Sequence, residues 1–358
     1  MLLQDLLDQP QVSWMKPGAK DGDIVLSSRI RLARNLADIP FPGRAEAGQL
    51  QQTADQIHQS VSALAASDRH EYLFIPLEQL TPLDRLILVE KHITSPNHVQ
   101  ESKGRALLVR DDSMVSIMVN EEDHLRVQCM MPGANLSEAF ALADRVDDVL
   151  EAEHDYAYSE RLGYLTSCPT NIGTGLRASA MLHLPVLVLT KQIQRVVNAA
   201  TQLGLAVRGI YGEGTEAVGN IFQISNQLTL GYSEAEIIEN LTSVVQQVVD
   251  QERAARSALM AESRSLLADR IWRAYGILRF ARSISGQEAL AMLSEVRLGI
   301  DLKIIENLPA EIFNELLVAT RPNFLQKRSG GENDPAARDR YRAELIREKL
   351  SAFEIKQP

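Results

Sequence analysis

Residues 105–130 read RALLVRDDSMVSIMVNEEDHLRVQCM. Three runs rich in Val, Ile and Leu lie within this stretch, at 105–110, 113–120 and 124–130, and each has the length and boundaries of a β-strand. Glu121, Glu122 and Asp123 join the last two as a hairpin tip. EYLFIPL at 71–77 supplies a further strand upstream. Helices are expected over 46–66 and 136–153, the second opened by Asn135 with Glu138 three residues on, the spacing of a capping box. Short β-rich runs and glycine-containing loops continue from Asp23 to about Gly231.

From Ser233 onward the pattern changes. Apolar residues recur with helical period over 234–260, 265–284, 286–298 and 310–319, which outlines a helical bundle. KRSGGENDP at 327–335 breaks it, and a charged helix follows over 336–353. The expected organisation is an N-terminal segment 1–22, a mixed α+β domain 23–255 and a helical C-terminal domain 256–358.

The chain has 358 residues, 45% hydrophobic and 23% charged, enough for a real core. Its 37 basic and 47 acidic side chains leave a net charge of −10, which opposes general affinity for nucleic acid or an anionic membrane. The longest apolar run, 184–189, carries Pro185 and falls far short of a bilayer span, so no transmembrane helix is expected. The N-terminus MLLQDLLDQP has no basic start, and a cytoplasmic location is expected. Cys129 and Cys168 fit neither a disulfide framework nor a zinc site, and no metal site of side chains is expected.

No P-loop, dinucleotide-binding or protein-kinase signature is present. Instead, arginines stand beside loops in four segments: SSRIRLARN (27–35), EDHLRV (122–127), CPTNIGTGLRAS (168–179) and VRGIYGEGTEAVG (207–219). Arg29 and Arg31 differ by two, so an extended segment points both to one face, where they can grip one anion. Asn171, Gly173, Thr174 and Gly175 form a loop whose N–H groups can approach phosphate oxygens. Any one surface arginine is ordinarily a solvated charge, and any one glycine loop an ordinary turn. The four segments together point further.

In order, they resemble the signature segments of the phosphagen (guanidino) kinases, and within that family the bacterial protein-arginine kinases. NEEDHLR at 120–126 and CPTNIGTGLRAS carry the resemblance most strongly, with SSRIRLARN and RGIYGEGTEAVGNIFQISN (208–226) beside them, over about residues 23–254. It implies an antiparallel sheet flanked by helices, with ATP as donor and Mg2+ held through the phosphates. By the same resemblance Arg29, Arg31, Arg126, Arg177 and Arg208 are phosphate ligands, with His92 near the nucleotide. The matching ATP-binding runs are Ser27, Ser28 and Ile30; Ala178, Ser179, Ala180 and Met181; and Gly209, Ile210, Tyr211 and Gly212. Met181 stands where the family has histidine, so an adenine contact there does not carry over. Glu122 resembles the catalytic carboxylate, Glu213 its partner on a mobile loop, and Cys168 the family's reactive cysteine in a supporting role, where an arginine-rich setting favours its thiolate.

The chemistry accounts for such a set. Phosphoryl transfer spreads negative charge over oxygens that arginine forks and magnesium hold in line. The acceptor guanidinium has no ready lone pair at neutral pH, so carboxylates must orient it and take a proton. Small-molecule members of the family carry a helical domain of roughly a hundred residues before the arginine strand, within the ordinary size of a domain. Here that strand starts near Ser27, and a helical domain follows the kinase part instead, the arrangement of protein-arginine kinases. Arg338, Asp339, Arg342 and Ala343 spell RDxxRA, which resembles the phosphoarginine-binding motif of the bacterial family. On a helix Arg338 and Arg342 share a face and can clasp a phosphoryl group, with Asp339 receiving the guanidinium part. The resemblance further implies protein substrates with exposed arginine, a homodimer, a zinc-binding activator protein, a heat-shock repressor and an AAA+ protease in bacterial stress response. The alternatives are a small-molecule guanidino kinase and a non-enzymatic phosphoarginine reader.

Overall fold

The computed structural model describes residues 3–16, 18–210, 217–330 and 334–353. Tyr211, Gly212 and Glu213 therefore lie outside the described residues.

Among the described residues ten strands are formed: β1 (Val25–Arg34), β2 (Tyr72–Pro76), β3 (Ala106–Arg110), β4 (Val115–Val119), β5 (Leu125–Pro132), β6 (Tyr158–Ser159), β7 (Gly163–Tyr164), β8 (Leu176–His183), β9 (Leu205–Gly209) and β10 (Ile221–Asn226). Eight of them make one sheet in the order β2-β3-β4-β5-β1-β8-β10-β9, and β6 and β7 form a separate hairpin. Every pairing in the large sheet is antiparallel, as the family resemblance implied. β1 lies near the middle, between β5 and β8, so its arginines sit at the centre of the sheet.

Side chains alternate between the two faces of each strand, and the two faces belong to two different cores. Ile30, Leu32, Val127, Ala178 and Ile224 belong to one core, with the helix Leu136–Glu151 and the first half of the helix Glu234–Phe280. Met118, Met130, Met181 and Ile221 belong to the other, with Trp14 and the helices Gly286–Asp301 and Glu311–Ala319. Between these apolar ends the second face turns polar, and the arginines occupy that stretch.

Local signals explain the helix ends. Ser233 and Glu236 close a reciprocal capping box that starts the 47-residue helix Glu234–Phe280. The two helices expected over 234–260 and 265–284 are this single element, broken only at Ser263 (φ −143°, ψ 36°). The expected boundary at 255/256 thus falls inside a continuous helix, because its buried stripe continues through Val248 and Val249 to the paired Glu252 and Arg256. The capping box expected at Asn135 does not form, because the Asn135 amide donates to Pro132 O and its backbone N–H to Ser28 Oγ. The helix expected over 46–66 divides at Ser60 into Ala47–Gln59 and Val61–Asp68.

Buried Glu252 ties the long helix to the segment that follows β8 by accepting the N–H groups of Val186 and Leu187, and it also accepts the Nε–H of Arg256. Among the described residues no helix is long and apolar enough to cross a membrane.

Candidate active site

Register places the arginines. Arg31 is paired with Arg177 on one side and Gln128 on the other, Arg29 with Ser179 and Met130, Ala33 with Arg126, and Gln223 with Arg208. Directly paired residues share a face, so Arg29, Arg31, Arg126 and Arg177 project from one surface of three adjacent strands, β5, β1 and β8. Arg29 donates through Nε to Ser179 Oγ (3.3 Å) and through Nη2 to Gln223 Oε1 (2.8 Å). Arg177 Nη1 donates to Asn226 O at 3.0 Å. Arg31 Nε is buried without a hydrogen-bond partner.

Among the described residues two carboxylates, Glu121 and Glu122, meet this cluster, both at Arg126. Burial and, after it, the neighbouring Arg126 push the Arg29 guanidinium down to about 10. Burial and then Arg29, Arg126 and Arg177 push Arg31 well below the ordinary arginine value, with Glu121 opposing them. Burial and then Arg208 lower Arg177. Arginine keeps its proton at neutral pH, so these depressions express cations that are buried first and mutually repelled second, a state that an anion relieves.

The hairpin tip after β4 is pinned. Asp123 accepts from the Asn35 amide (2.7 Å) and from the Ser167 N–H (2.6 Å), and His124 Nδ1 accepts from the Leu36 N–H (3.1 Å). Glu121 is buried, accepts from Ser95 Oγ, and stands 2.8 Å from Arg126 Nη1. Glu122 alone is turned outward, 44% exposed, with Oε2 3.2 Å from Arg126 Nη2. It borders a cavity of about 120 Å3 with Arg31, Arg126, Cys168, Thr170 and Arg177. One exposed carboxylate thus faces three guanidinium groups. Sequence reasoning did not assign Glu121, Ser95, Gln223 or Asn226 to the site. The first acid of NEEDHLR, beside Glu122, is the available signal for Glu121.

Three of the four N–H groups expected to turn toward phosphate bond within the fold instead. Those of Asn171, Gly173 and Thr174 donate to Cys168 O, Tyr164 O and Thr229 O. Gly173 (φ +110°) has no room for a Cβ, which would lie 2.6 Å from Thr229 O. Gly175 (φ +65°) is equally close to Ala33 O and to the Arg34 guanidinium. The loop is therefore a clamp that holds Cys168 and Thr170 at the cavity. Cys168 Sγ is 3.0 Å from Thr170 Oγ1 and half-buried. Arg34 is structural: it pairs with Asp147 at 2.7 Å on the opposite face and stacks 3.5 Å over the Tyr164 ring.

The remaining assigned residues divide by face. Ile30, Ala178 and Ala180 point into the core behind the sheet, and Ser28 Oγ donates to Gly133 O. Their side chains do not reach the arginine surface. Ser27 pairs with Met181, and both are buried. Gly209 pairs with Phe222, and Ile210 N–H donates to Ile221 O. His92 adopts φ +59° against Trp14, and burial, then Arg29 and Arg321, push it down to about 3. Arg208 is exposed on β9. In the tail, Arg342 is buried and donates to Thr320 O and Ile284 O, each at 2.9 Å, and also contacts Asp339. Ala343 is buried, while Arg338 and Asp339 are half-exposed. The clasp expected from Arg338 and Arg342 together is thus altered, because carbonyls already occupy the Arg342 fork.

The arginine surface fits a polyphosphate: an orphaned Arg31 Nε and a surplus of guanidinium groups are what a triphosphate requires. Among the described residues no cluster of three His, Cys, Asp or Glu side chains could hold a metal ion. Magnesium would be held through the phosphates.

Comparison with known proteins agrees. Residues 52–255 match the family described as ATP:guanido phosphotransferase, C-terminal catalytic domain. Residues 264–358 match the protein-arginine kinase McsB C-terminal domain, and Ser263 lies just before that segment. Lombricine kinase superposes with a TM-score of 0.58 at 28% identity over 70% of this chain and 73% of its own. The duplicated taurocyamine kinase from Schistosoma mansoni shares the fold, with a TM-score of 0.60 at 23% identity over 74% of this chain and 40% of its own. Fold and sequence thus define the class: this enzyme is an ATP:guanidino phosphotransferase. The chain is 49% identical over 357 residues to the protein-arginine kinase of Brevibacillus brevis, covering 100% of both chains. It is 51% identical over 350 residues to that of Bacillus subtilis, covering 98% of this chain and 96% of the relative. The chain belongs to the protein-arginine kinase family.

Proposed function

We propose that this enzyme transfers the γ-phosphoryl group of ATP to the guanidinium of arginine side chains in proteins. The observation that carries the reading is the exposed Glu122 facing Arg31, Arg126 and Arg177 across one small cavity. Arg29, Arg31, Arg126, Arg177 and Arg208 bind and align the donor phosphates, and bound magnesium shares in neutralising them. Glu122 accepts hydrogen bonds from the acceptor guanidinium and takes its proton. A nitrogen–phosphorus bond forms as the bond from the γ-phosphorus to the ADP oxygen breaks. Glu213 is assigned the second carboxylate by resemblance, and Cys168 a supporting place beside Thr170. His92, kept neutral, packs near Arg29 rather than carrying charge.

In the same proposal the tail binds phosphoarginine. Arg338 and Asp339 meet the ligand while Arg342, tied to Thr320 and Ile284, holds the helix that presents them. The enzyme acts in the cytoplasm as a homodimer, with a zinc-binding activator, a heat-shock repressor and an AAA+ protease as partners by resemblance. The test is incubation with ATP, magnesium and either casein or free L-arginine, read by mass spectrometry under non-acidic conditions. Acid-labile phosphate is expected on casein arginines and not on the free amino acid, and Glu122→Ala is expected to abolish it while still binding ATP. Phosphate on free arginine alone, or undiminished turnover of Glu122→Ala, would overturn the reading.

A further inference from the structure

A cavity of about 120 Å3 receives one guanidinium and the group it accepts, not the residues on either side of it. An extended chain advances roughly 3.3 Å per residue, so the two neighbours on each side of an acceptor arginine rest within roughly 7 Å of the mouth. On the side of the mouth built by Thr170 and Asn171 the adjoining surface is apolar. Leu228, Leu230 and Tyr232 are each more than half exposed, as is Tyr158 on β6. Exposed leucines at alternate positions of a connector are unusual unless something covers them.

This connector is not loose. Thr229, 2% exposed between the two leucines, places Oγ1 3.0 Å from Thr170 O and 2.6 Å from Ile172 O. Its own carbonyl accepts from the Thr174 N–H, and Leu228 O accepts from the Asn226 amide. Asn226 O in turn receives Arg177. Thr229 turned inward leaves Leu228 and Leu230 turned outward, on a backbone bonded to the wall of the cavity. Tyr158 adjoins the same wall: its ring lies 5.3 Å from that of Tyr164, and Tyr164 is bridged to Gly173.

We propose that Leu228 and Leu230, with Tyr158 and Tyr232 beside them, form an apolar shelf for aliphatic or aromatic side chains flanking the acceptor arginine. The enzyme then favours arginines within apolar stretches, which folded proteins bury and unfolded chains expose. This inference rests on Glu122 marking the acceptor site.

Two peptides test it, one with leucine and valine on both sides of a single arginine and one with serine and glycine there. Steady-state kinetics compare the parent with the double variant Leu228→Ser, Leu230→Ser. The KM of the parent is expected to be lower for the apolar peptide. The double variant should raise that KM about tenfold, leaving its kcat and both constants for the polar peptide within about twofold. Tyr158→Ser, on a separate hairpin, should reproduce the split in smaller measure and guards against misfolding of the double variant. Equal changes for both peptides, or none, overturn the shelf. A shift to a smaller species in sedimentation without a peptide split also overturns it and assigns the surface to contact between copies of the chain. Failure of the parent to phosphorylate either peptide would instead strike the Glu122 reading itself.

Discussion

Arg31 lies directly opposite Arg177 in the register of β1 and β8, so two guanidinium groups share one rung of the sheet. Like charges directly opposed across antiparallel strands destabilise the pair. Arg29 and Arg126 add to the same potential. The strands tolerate the repulsion because β1 is bonded on both sides along nearly its whole length. In the proposed donor site the rung is thus set before any polyphosphate arrives, which limits the reorganisation that binding requires.

Replacing Arg177 by Ala should therefore weaken ATP binding by about a hundredfold, the scale of one or two lost charge-assisted hydrogen bonds. Stability of the ATP-free protein should stay within about 1 kcal/mol of the parent, since a repulsion is removed together with the bond to Asn226 O. Titration calorimetry and urea unfolding read the two quantities separately. Unchanged affinity would remove Arg177 from the donor site.

Glu121 bears on the same site from beneath. Its buried carboxylate holds Arg126 at 2.8 Å and is fixed in turn by Ser95. Glu121→Gln keeps the volume and a partner for Ser95 but removes the charge. Arg126 should then swing toward Glu122, its other carboxylate at 3.2 Å, and the KM for ATP should rise about tenfold. A rise in the acceptor KM alone, with the ATP constant untouched, would show that Glu121 serves a different group.

The parity of SSRIRLARN is legible in the sequence. Arg29 and Arg31 share one face, and Arg34, three residues on, takes the other, where it meets Asp147 instead of the site. Depth is not legible. Three consecutive acids at 121–123 read as a hairpin tip, yet their partners Ser95, Asn35 and Ser167 come from distant positions, and two of the three acids are buried. The glycine loop at 171–175 has the composition of a phosphate nest. Only tertiary contacts with Tyr164 and Thr229 reveal that the N–H groups of Gly173 and Thr174 are already taken. Likewise both halves of the helix Glu234–Phe280 carry readable apolar stripes, while their union depends on two cores lying on opposite faces of the sheet.

The tail separates two arginines that the motif treats alike. Arg342 is 3% exposed and bonded to the carbonyls of Thr320 and Ile284. Arg342→Ala should destabilise the protein by about 2–3 kcal/mol, the cost of buried carbonyls left without a charged donor. Arg338→Ala, at a half-exposed position, should change stability by less than about 0.5 kcal/mol. It should nevertheless blunt activation by phosphoarginine, so unfolding midpoints and activation curves are predicted to rank the two variants differently. Equal loss of stability in both would erase the distinction between strut and ligand.

His92 sets a pH limit on the native state. Burial, followed by Arg29 and Arg321, pushes its pKa from 6.5 down to about 3. The folded protein therefore keeps the ring neutral, while the unfolded chain takes up a proton as pH falls below 6.5. Stability contributed by this group is present above that value and is lost as pH drops toward the folded value. Each unit below the unfolded pKa costs up to about 1.4 kcal/mol. His92→Asn retains a residue suited to φ +59° and removes the titration. The parent should lose about 2 kcal/mol more than this variant between pH 7 and pH 5 in urea unfolding. Its kcat for phosphoryl transfer should show no ionisation belonging to His92 over the same range. A parent and variant whose stabilities fall in parallel would mean that the ring takes up its proton without unfolding, and that water reaches it beside Trp14.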